Sequence, residues 1–245
     1  MSTNYRDVLY SNYHSTQSGR ASLTDSKSLF EREKWRFQME LLPLLNSVSK
    51  SARIFDMGCG SGSLLSVLGD AGFENAFGMD LSQEQVDLAH KMGVNQVQMG
   101  NALDFIKNSN EQFDVITGTD IIEHFTKDEL VELLQTIQSK LKSGGKAIFR
   151  TPNLDAPFAS IFANGDFTHE NYLNASSAQQ VHLACGFKKV MVYPSQMKIQ
   201  NPFKEILRKL IAAPVFLSYK LVIFASGRST QNVYFSPNMI IVAEN

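Results

Sequence analysis

The feature that most constrains this chain is a glycine-dense stretch, IFDMGCGSG at residues 54–62, that runs on directly from a short apolar segment. Glycine permits a tight turn and lets a ligand approach the backbone where any side chain would hold it away. Residues 62–70 are predicted to form a helix, and the first N–H groups of a helix can bind a carboxylate or another polar group. The stretch therefore predicts a strand, a ligand-binding turn and a helix in succession.

Strand and helix signals alternate along the middle of the chain. The clearest helix follows Thr126, and its apolar stripe consists of Leu130, Leu133, Leu134, Ile137 and Leu141. The predicted helices of this region are 62–70, 82–92 and 126–141. The predicted strands are 52–56, 74–79, 95–99, 113–117 and 146–150. Such alternation is typical of an α/β fold, a doubly wound and mostly parallel sheet with helices on both faces.

The last third of the chain changes this rhythm. A helix at 176–185 precedes a strand near 187–193, and a final strand lies near 239–243. We expect these two strands to pair as an antiparallel edge of the sheet. Residues 202–228 then form a helical insertion between them.

Composition narrows the class of protein. With 245 residues and 43% hydrophobic residues, the chain can bury a full core as one domain. A net charge of -1 argues against a nucleic-acid-binding face, which requires clustered Lys and Arg. Cys59 and Cys185 are too few for a disulfide framework, and residues 1–28 lack the apolar stretch of a signal peptide. We therefore expect a cytoplasmic protein with reduced thiols.

The spacing of the glycines distinguishes two kinds of nucleotide site. Dinucleotide-binding folds carry G-x-G-x-x-G, whereas this chain has Gly58, Gly60 and Gly62, with Ser63 at the third glycine position. Asp80 closes the next strand about 20 residues further on, where a carboxylate can accept hydrogen bonds from both hydroxyls of a ribose. The spacing disfavours a nicotinamide-dependent oxidoreductase. The intact turn and Asp80 disfavour a non-catalytic module that merely retains the fold.

Two further stretches follow in the order found in a known family. They are GNAL at residues 100–103 and FDVITGTDIIEHF at residues 113–125. With the glycine turn and Asp80, they resemble the motifs of class I S-adenosylmethionine-dependent methyltransferases. The resemblance implies a Rossmann-like sheet, S-adenosylmethionine as the cofactor, and methyl transfer as the reaction.

The resemblance also implies a set of cofactor-binding residues. Asn101 stands where the family usually has an acidic residue, and its side-chain carbonyl can still accept from the adenine amino group. The arginine that pairs with the cofactor carboxylate is expected from Arg20, Arg32 or Arg36, of which we choose Arg36. The expected set is Asp56, Gly58, Cys59, Gly60, Gly62, Asp80, Leu81, Asn101, Ala102, Asp120, Ile121 and Arg36.

The N-terminal region, residues 1–48, is expected to be an arm and a helix that cover the cofactor. The methyltransferase domain then occupies residues 49–245. Residues 28–48 read as helical, with Ser28 as the cap and Pro43 as a kink or a break.

Catalytic candidates lie after the fourth strand and in the long loop after the fifth. His124 follows that fourth strand, at the sheet edge where ligands bind, and histidine can act as a base near neutral pH. The alternative for His124 is a packing role at the start of helix 126–141. Asp166 and His169 are three residues apart and are expected either to share an acceptor hydroxyl or to form a structural pair. A metal site at Asp166, His169 and Glu170 is less favoured, so no metal is expected.

Residues 151–175 are expected to form the acceptor loop, because irregular segments of this length are usually functional. They contain TPNLDAPF and GDFTHENYL, which look like a subgroup of bacterial methyltransferases of surface-glycan biosynthesis. This resemblance implies a sugar hydroxyl as the acceptor. A small-metabolite O-methyltransferase, for example of the quinone type, shares the DIIEH motif and remains the alternative.

Residues 202–228 alternate apolar residues with a few basic ones. One interpretation is a pair of helices, joined near Pro214, that pack on the domain or in a dimer interface. The other is a pair of interfacial helices that make a peripheral contact with the inner face of the cell membrane. The sequence favours the first interpretation slightly, whereas a lipid-linked acceptor would favour the second.

Overall fold

The computed structural model describes residues 5–10, 23–196, 198–231 and 233–245. Within these residues, seven strands form one sheet: β1 (Arg53–Met57), β2 (Asn75–Asp80), β3 (Val97–Met99), β4 (Phe113–Thr119), β5 (Leu141–Pro152), β6 (Lys189–Pro194) and β7 (Asn238–Glu244). Their order is β3-β2-β1-β4-β5-β7-β6. The first five strands pair in parallel, and β7 runs antiparallel to both β5 and β6. The predicted fold class, including its antiparallel pair at one edge, is confirmed.

Helices cover both faces of the sheet, as the alternation predicts. The described helices are α1 (Tyr5–Tyr10), α2 (Leu23–Glu40), α3 (Ser63–Asp70), α4 (Gln83–Lys91), α5 (Ala102–Asn108), α6 (Lys127–Lys140), α7 (Ala159–Ala163), α8 (Ala175–Ala184) and α9 (Pro202–Ala225). Helices α2, α3 and α4 pack their apolar residues on one face, and α5, α6 and α8 pack theirs on the other. Each face thus has its own hydrophobic core.

Polar caps begin several of these helices where the sequence predicts. The Thr126 side chain accepts from the Glu129 N–H, and the Glu129 side chain accepts from the Thr126 N–H, which forms a capping box at α6. Ser82 caps α4 in the same way through the N–H of Gln85. Because these caps fix the start of each helix, they also fix the loops that leave the carboxyl ends of β2 and β4.

Two local predictions are wrong, and one of the two alternatives for Pro43 is confirmed. Helix α2 begins at Leu23 and passes through Ser28, so Ser28 is not its cap. Of the two alternatives for Pro43, the break is confirmed: α2 ends at Glu40, and Pro43 lies in the first turn of a separate 3-10 helix, Leu42–Leu45, where a missing N–H costs little. Strand β5 begins at Leu141 rather than at residue 146, since Gly144 and Gly145 lie in an irregularity within the strand.

Helix α9 corrects the prediction for residues 202–228. It is one helix with Pro214 inside it, not two helices joined near that proline. Its half-buried positions, including Ala212, Phe216 and Tyr219, stay on one side through the proline, so contact with the domain holds both halves in line. Among the described residues, no helix combines the length and the apolar character needed to cross a membrane.

Gly78, in the middle of β2, is required by close packing. A Cβ at this position would lie 2.8 Å from the backbone oxygen of Asp56 and 2.8 Å from the Cβ of Cys59. Both atoms belong to the segment that ends β1 and begins the glycine turn. Gly78 therefore allows that segment to lie directly against β2.

We predict that Gly78→Ala lowers the free energy of unfolding by about 1–3 kcal/mol, because the new methyl group meets backbone that cannot move away. Gly69→Ala is the matched control, since its Cβ would meet nothing within 4 Å in helix α3. The control should be neutral or stabilising by up to about 1 kcal/mol. Urea unfolding followed by circular dichroism measures both, and equal stabilities for the two variants would contradict the packing argument.

Candidate active site

The glycine turn and Asp80 lie in one cleft at the carboxyl edge of the sheet. The N–H of Gly60 donates to Oδ2 of Asp80 at 2.8 Å, and the N–H of Ser82 donates to its Oδ1 at 2.9 Å. The N–H of Cys59 donates to the carbonyl of Met79 at 3.1 Å. Strands β1 and β4 are neighbours here although they are not consecutive, and such a switch point is where ligands bind in open α/β sheets.

Within the turn, Gly60 is the position open to a ligand. Its φ is +52°, and the nearest atom to a Cβ built there is Oε1 of Gln85 at 3.8 Å. At Gly58 a Cβ would instead meet Cδ1 of Ile121 at 2.7 Å, and at Gly62 it would meet Val94 at 2.8 Å. Gly58 and Gly62 therefore allow the turn to pack closely on Ile121 and Val94, whereas the backbone at Gly60 is accessible to a cofactor.

Asp56 lies beneath this turn and is fully buried. It accepts a hydrogen bond from Oγ1 of Thr117 at 2.7 Å, which joins the ends of β1 and β4. Burial is the main cause that raises the pKa of Asp56 to about 7; the hydrogen bond from Thr117 opposes this shift, and the nearby carboxyl of Asp80 adds to it. Burial also raises the pKa of the Cys59 thiol, which packs against Gly78 and stays neutral. A cofactor contact of Asp56 or Cys59 remains a prediction.

The far end of the expected cofactor site is lined by Leu81, Asn101 and Ala102. Leu81 is exposed beside Asp80, whereas Ala102 is buried at the start of α5. Oδ1 of Asn101 accepts from the N–H groups of Leu103 and Asp104, so this amide caps α5. Neither this helix nor its cap was predicted from the sequence. An adenine contact through the same oxygen would compete with the cap and remains a prediction.

Arg36 lies in a charged cluster at the opposite end of the site. Arg150 donates to the carboxylate of Asp120 and lies 3.6 Å from a carboxylate oxygen of Glu40. Arg36 and Arg32 both line a cavity of about 240 Å³ beside these groups. The remaining candidate, Arg20, lies outside the described residues.

Arg36 fits an anionic group of the cofactor better than Arg32 does. Its Nε is buried and has no hydrogen-bond partner among the described residues. Burial, followed by the charge of Arg150, lowers the pKa of the Arg36 guanidinium. An added carboxylate would both satisfy the buried donor and offset this repulsion.

Asp120 and Ile121 follow β4 directly. Asp120 has a φ of +51°, an uncommon conformation for a residue with a side chain, and its N–H donates to the carbonyl of Arg150 at 2.8 Å. Ile121 packs on both Gly58 and Gly118, so it connects the glycine turn to the end of β4. Their assignment to the cofactor remains a prediction.

The catalytic candidates do come together. Asp166 accepts from Oγ1 of Thr168 at 2.6 Å, and the same hydroxyl lies 2.8 Å from Nδ1 of His124. The rings of His124 and His169 are 4.9 Å apart and nearly perpendicular. Asp166 and His169 do not form the expected pair through their side chains, since Nδ1 of His169 donates instead to the carbonyl of Ala163 at 2.7 Å.

Glu123 adds a third possible metal ligand to the two histidines. One ligand atom each from Glu123, His124 and His169 lies within 4.8 Å of the others, a set that a divalent cation accepts. Among the described residues this is the group that converges, not the combination of Asp166, His169 and Glu170. Glu123 is buried and accepts from Thr151 at 3.0 Å, and burial followed by the charge of Asp120 raises its pKa to about 8.

Backbone hydrogen bonds fix the acceptor loop against the end of β4. The N–H groups of Glu170 and Asn171 donate to the carbonyl of Glu123 at 2.8 and 3.1 Å. The side-chain amide of Asn171 donates to the carbonyls of Ile122 and Phe125 at 2.7 and 2.8 Å. His124 and the loop are therefore held in one rigid arrangement.

Helix α1 contacts the acceptor side of the site. Arg6 donates to both carboxylate oxygens of Glu129, at 2.6 and 2.8 Å, and to the carbonyl of His124 at 3.2 Å. The Tyr5 hydroxyl donates to Glu170. The expected cover over the cofactor remains a prediction, because the described contacts of α1 are with the acceptor loop and the start of α6.

Several residues of the site were not predicted from the sequence. Thr168 lies inside the GDFTHENYL stretch, between the two residues chosen there, but a threonine carries no strong catalytic signal alone. Arg150 lies near the carboxyl end of β5, at the ligand-binding edge, and this position was the available signal for it. The contact of Arg6 with Glu129 joins residues 123 positions apart and leaves no pattern in the sequence.

The fold and the site together define a class of enzyme. A doubly wound sheet carries a glycine turn on its first strand and a carboxylate on its second, and nearby lies Arg36, whose buried Nε has no hydrogen-bond partner among the described residues. This is the arrangement of an S-adenosylmethionine-dependent methyltransferase. The assignment of the adenosine to Asp80 and of the amino-acid end to Arg36 remains a prediction.

Comparison with known proteins agrees with this class. The model of a methyltransferase domain family matches residues 30–197, and the chain belongs to that family. The ribosomal protein L11 methyltransferase of Lactobacillus gasseri is 28% identical over 116 residues, which are 46% of this chain and 35% of that protein. The chain thus spans about a third of the length of this curated relative.

Solved structures share the fold at low sequence identity. A methyltransferase from Archaeoglobus fulgidus that depends on S-adenosylmethionine is 19% identical, with a TM-score of 0.67 over 96% of this chain and 99% of that one. Phosphoethanolamine N-methyltransferase 2 from Haemonchus contortus, in complex with S-adenosylmethionine, is 18% identical. Its TM-score is 0.61 over 99% of this chain and 60% of that one.

We predict that Asp80→Asn weakens binding of S-adenosylmethionine and of its demethylated product by roughly 10- to 100-fold, because two charge-assisted hydrogen bonds to the ribose are weakened. Asp87→Asn on the exposed side of α4 is the control and should bind as the wild type does. Isothermal titration calorimetry measures both. An unchanged dissociation constant for Asp80→Asn would contradict the assignment of this carboxylate to the ribose.

Proposed function

We propose that this enzyme transfers the methyl group of S-adenosylmethionine to a hydroxyl of a sugar, in a bacterial surface glycan or its precursor. The observation that carries the proposal is the chain of hydrogen bonds from Asp166 through Thr168 to His124. A protonated hydroxyl is a poor nucleophile and requires a base within hydrogen-bond reach, whereas an amine acceptor requires less help.

The hydrogen bonds determine which nitrogen of His124 is basic. The carboxylate of Asp166 can only accept, so the single hydroxyl proton of Thr168 points to Asp166. Thr168 must then accept from His124, which places the ring proton on Nδ1. The lone pair of the neutral ring is consequently on Nε2, and Nε2 is the atom that we assign as the general base.

The surroundings keep this base unprotonated near neutral pH. Burial lowers the pKa of His124, and the neighbouring His169 lowers it further, while Asp166 and Thr168 oppose this shift. In the reaction, Nε2 takes the proton as the acceptor oxygen bonds the methyl carbon and the carbon–sulfur bond breaks. The fixed loop and His124 hold the acceptor in line for this displacement, which supplies much of the rate enhancement.

The choice of a sugar rests on the acceptor loop. Phe158 and Phe167 are largely exposed there, and Phe167 retains 83% of its accessible surface. Exposed rings beside polar groups suit a pyranose, which presents an apolar C–H face and hydroxyl edges. The resemblance of residues 151–175 to glycan methyltransferases supports the same acceptor.

A small aromatic metabolite, for example of the quinone type, is the second candidate. The same exposed phenylalanines would stack on a flat ring, and a phenolic hydroxyl would use the same base. The two candidates differ in the class of acceptor that the enzyme methylates. Product analysis with a panel of nucleotide sugars, lipid-linked glycans and phenols separates them, and N-methylated products alone would contradict both.

We predict that His124→Gln lowers kcat by about 10²- to 10⁴-fold with little change in cofactor affinity, because a general base is lost. The wild-type rate should fall as the pH is lowered through the pKa of His124, which lies below 6.5. His90→Gln on the exposed side of α4 is the matched control and should keep the wild-type rate and pH profile. The methylation rate is measured with labelled cofactor.

Substitution of Thr168 and removal of metal ions by a chelator are two further tests of His124 as the general base. Thr168→Val should lower kcat more than it raises KM, and Thr168→Ser should restore the rate, because only the hydroxyl orients the ring. Activity should also survive EDTA. Loss of activity with EDTA and recovery with a divalent cation would make His124 a metal ligand beside Glu123 and His169, and would refute its role as the base.

A further inference from the structure

Helix α9 exposes an unusually apolar face. It is attached to the domain by a narrow stripe in which the ring of Phe216 stacks on Phe235 at 5.4 Å and Tyr219 lies 6.1 Å from the same ring. At 3.6 residues per turn, the opposite side consists of residues that are all exposed: Phe203, Leu207, Leu210, Leu217, Leu221 and Phe224. An exposed apolar patch of this kind marks an interaction site.

Basic residues flank this apolar face. Residues 202–228 contain Lys204, Arg208, Lys209, Lys220 and Arg228 but a single acid, Glu205, which gives the segment a net charge of +4 in a chain whose net charge is -1. Lys204 lies along one side of the apolar face, and Lys209 and Lys220 lie along the other. Lysine side chains in these positions can extend toward an anionic layer while their stems cover apolar surface.

We propose that α9 docks the enzyme on an anionic lipid surface, with its apolar face at the level of the acyl chains and its lysines among the phosphates. An amphipathic helix with basic flanks is the arrangement that binds in the plane of a membrane interface. The stripe at Phe216 and Tyr219 fixes the helix on the domain, so the apolar face points outward before binding.

The charges favour lipid over a second copy of the chain. Two copies packed through this face would bring their lysine flanks together. Glu205, which could relieve that repulsion, is already bonded to Arg208 at 2.7 and 2.8 Å and lies 3.6 Å from Lys209. Lipid phosphates supply the opposite charge that a second copy lacks.

Flotation with lipid vesicles tests the proposal. The full chain should float with vesicles of phosphatidylcholine and about 30% phosphatidylglycerol, and less with phosphatidylcholine alone, because each basic residue contributes attraction to anionic lipid. Leu210→Glu together with Leu217→Glu should weaken binding by at least about tenfold, since both side chains leave the acyl layer. Leu183→Glu, an exposed leucine on α8, is the matched control and should bind as the wild type does.

Two results would overturn the proposal. One is the absence of any vesicle-bound fraction at low salt. The other is a dimer in light scattering that Leu210→Glu with Leu217→Glu dissociates, which would assign the face to a second copy. Cofactor binding by each variant is measured in solution, to verify that a loss of flotation does not come from misfolding. Neither outcome of the flotation experiment bears on the proposed acceptor.

Discussion

The site depends on how closely the glycine turn packs on its neighbours. Gly78 allows the end of β1 to lie against β2, and Gly58 allows Ile121 to lie against the turn. With both contacts in place, the N–H of Gly60 comes within 2.8 Å of Asp80. Backbone donors and a carboxylate then face one cleft, which neither strand could form alone. A side chain at Gly58 or Gly78 would therefore disturb the ligand site as well as the core.

The same packing connects the glycine turn, where the cofactor is expected, to the acceptor loop. Ile121 contacts the glycine turn, and the next residues, Ile122 and Glu123, hold the acceptor loop through their carbonyl groups. His124 follows at once and bonds Thr168 of that loop. Ile121, which packs on the glycine turn, and His124, the proposed base, are thus three positions apart in one rigid segment. Transfer along a line requires such rigidity, because small displacements of the reacting atoms slow the step strongly.

The sequence predicts the sheet well because each strand is a short apolar run, and periodicity and caps are local properties. The glycine turn and Asp80 were found for the same reason. Helix α5, of seven residues, was not predicted, although the Asn101 side chain caps it. The hydrogen bonds of Thr168, the ion pair of Arg6 and the cluster around Arg36 join residues far apart in the chain. No pattern of spacing contains that information, and only the packed fold brings these residues together.

Burial also sets the charge of the site. Asp56 and Glu123 have pKa values of about 7 and 8, above those of the unfolded chain, because burial disfavours their ionised forms. Their contribution to stability is therefore complete below about pH 4 and is lost as the pH rises through 7 and 8. A cation bound close to either carboxyl would favour its ionised form and oppose this loss.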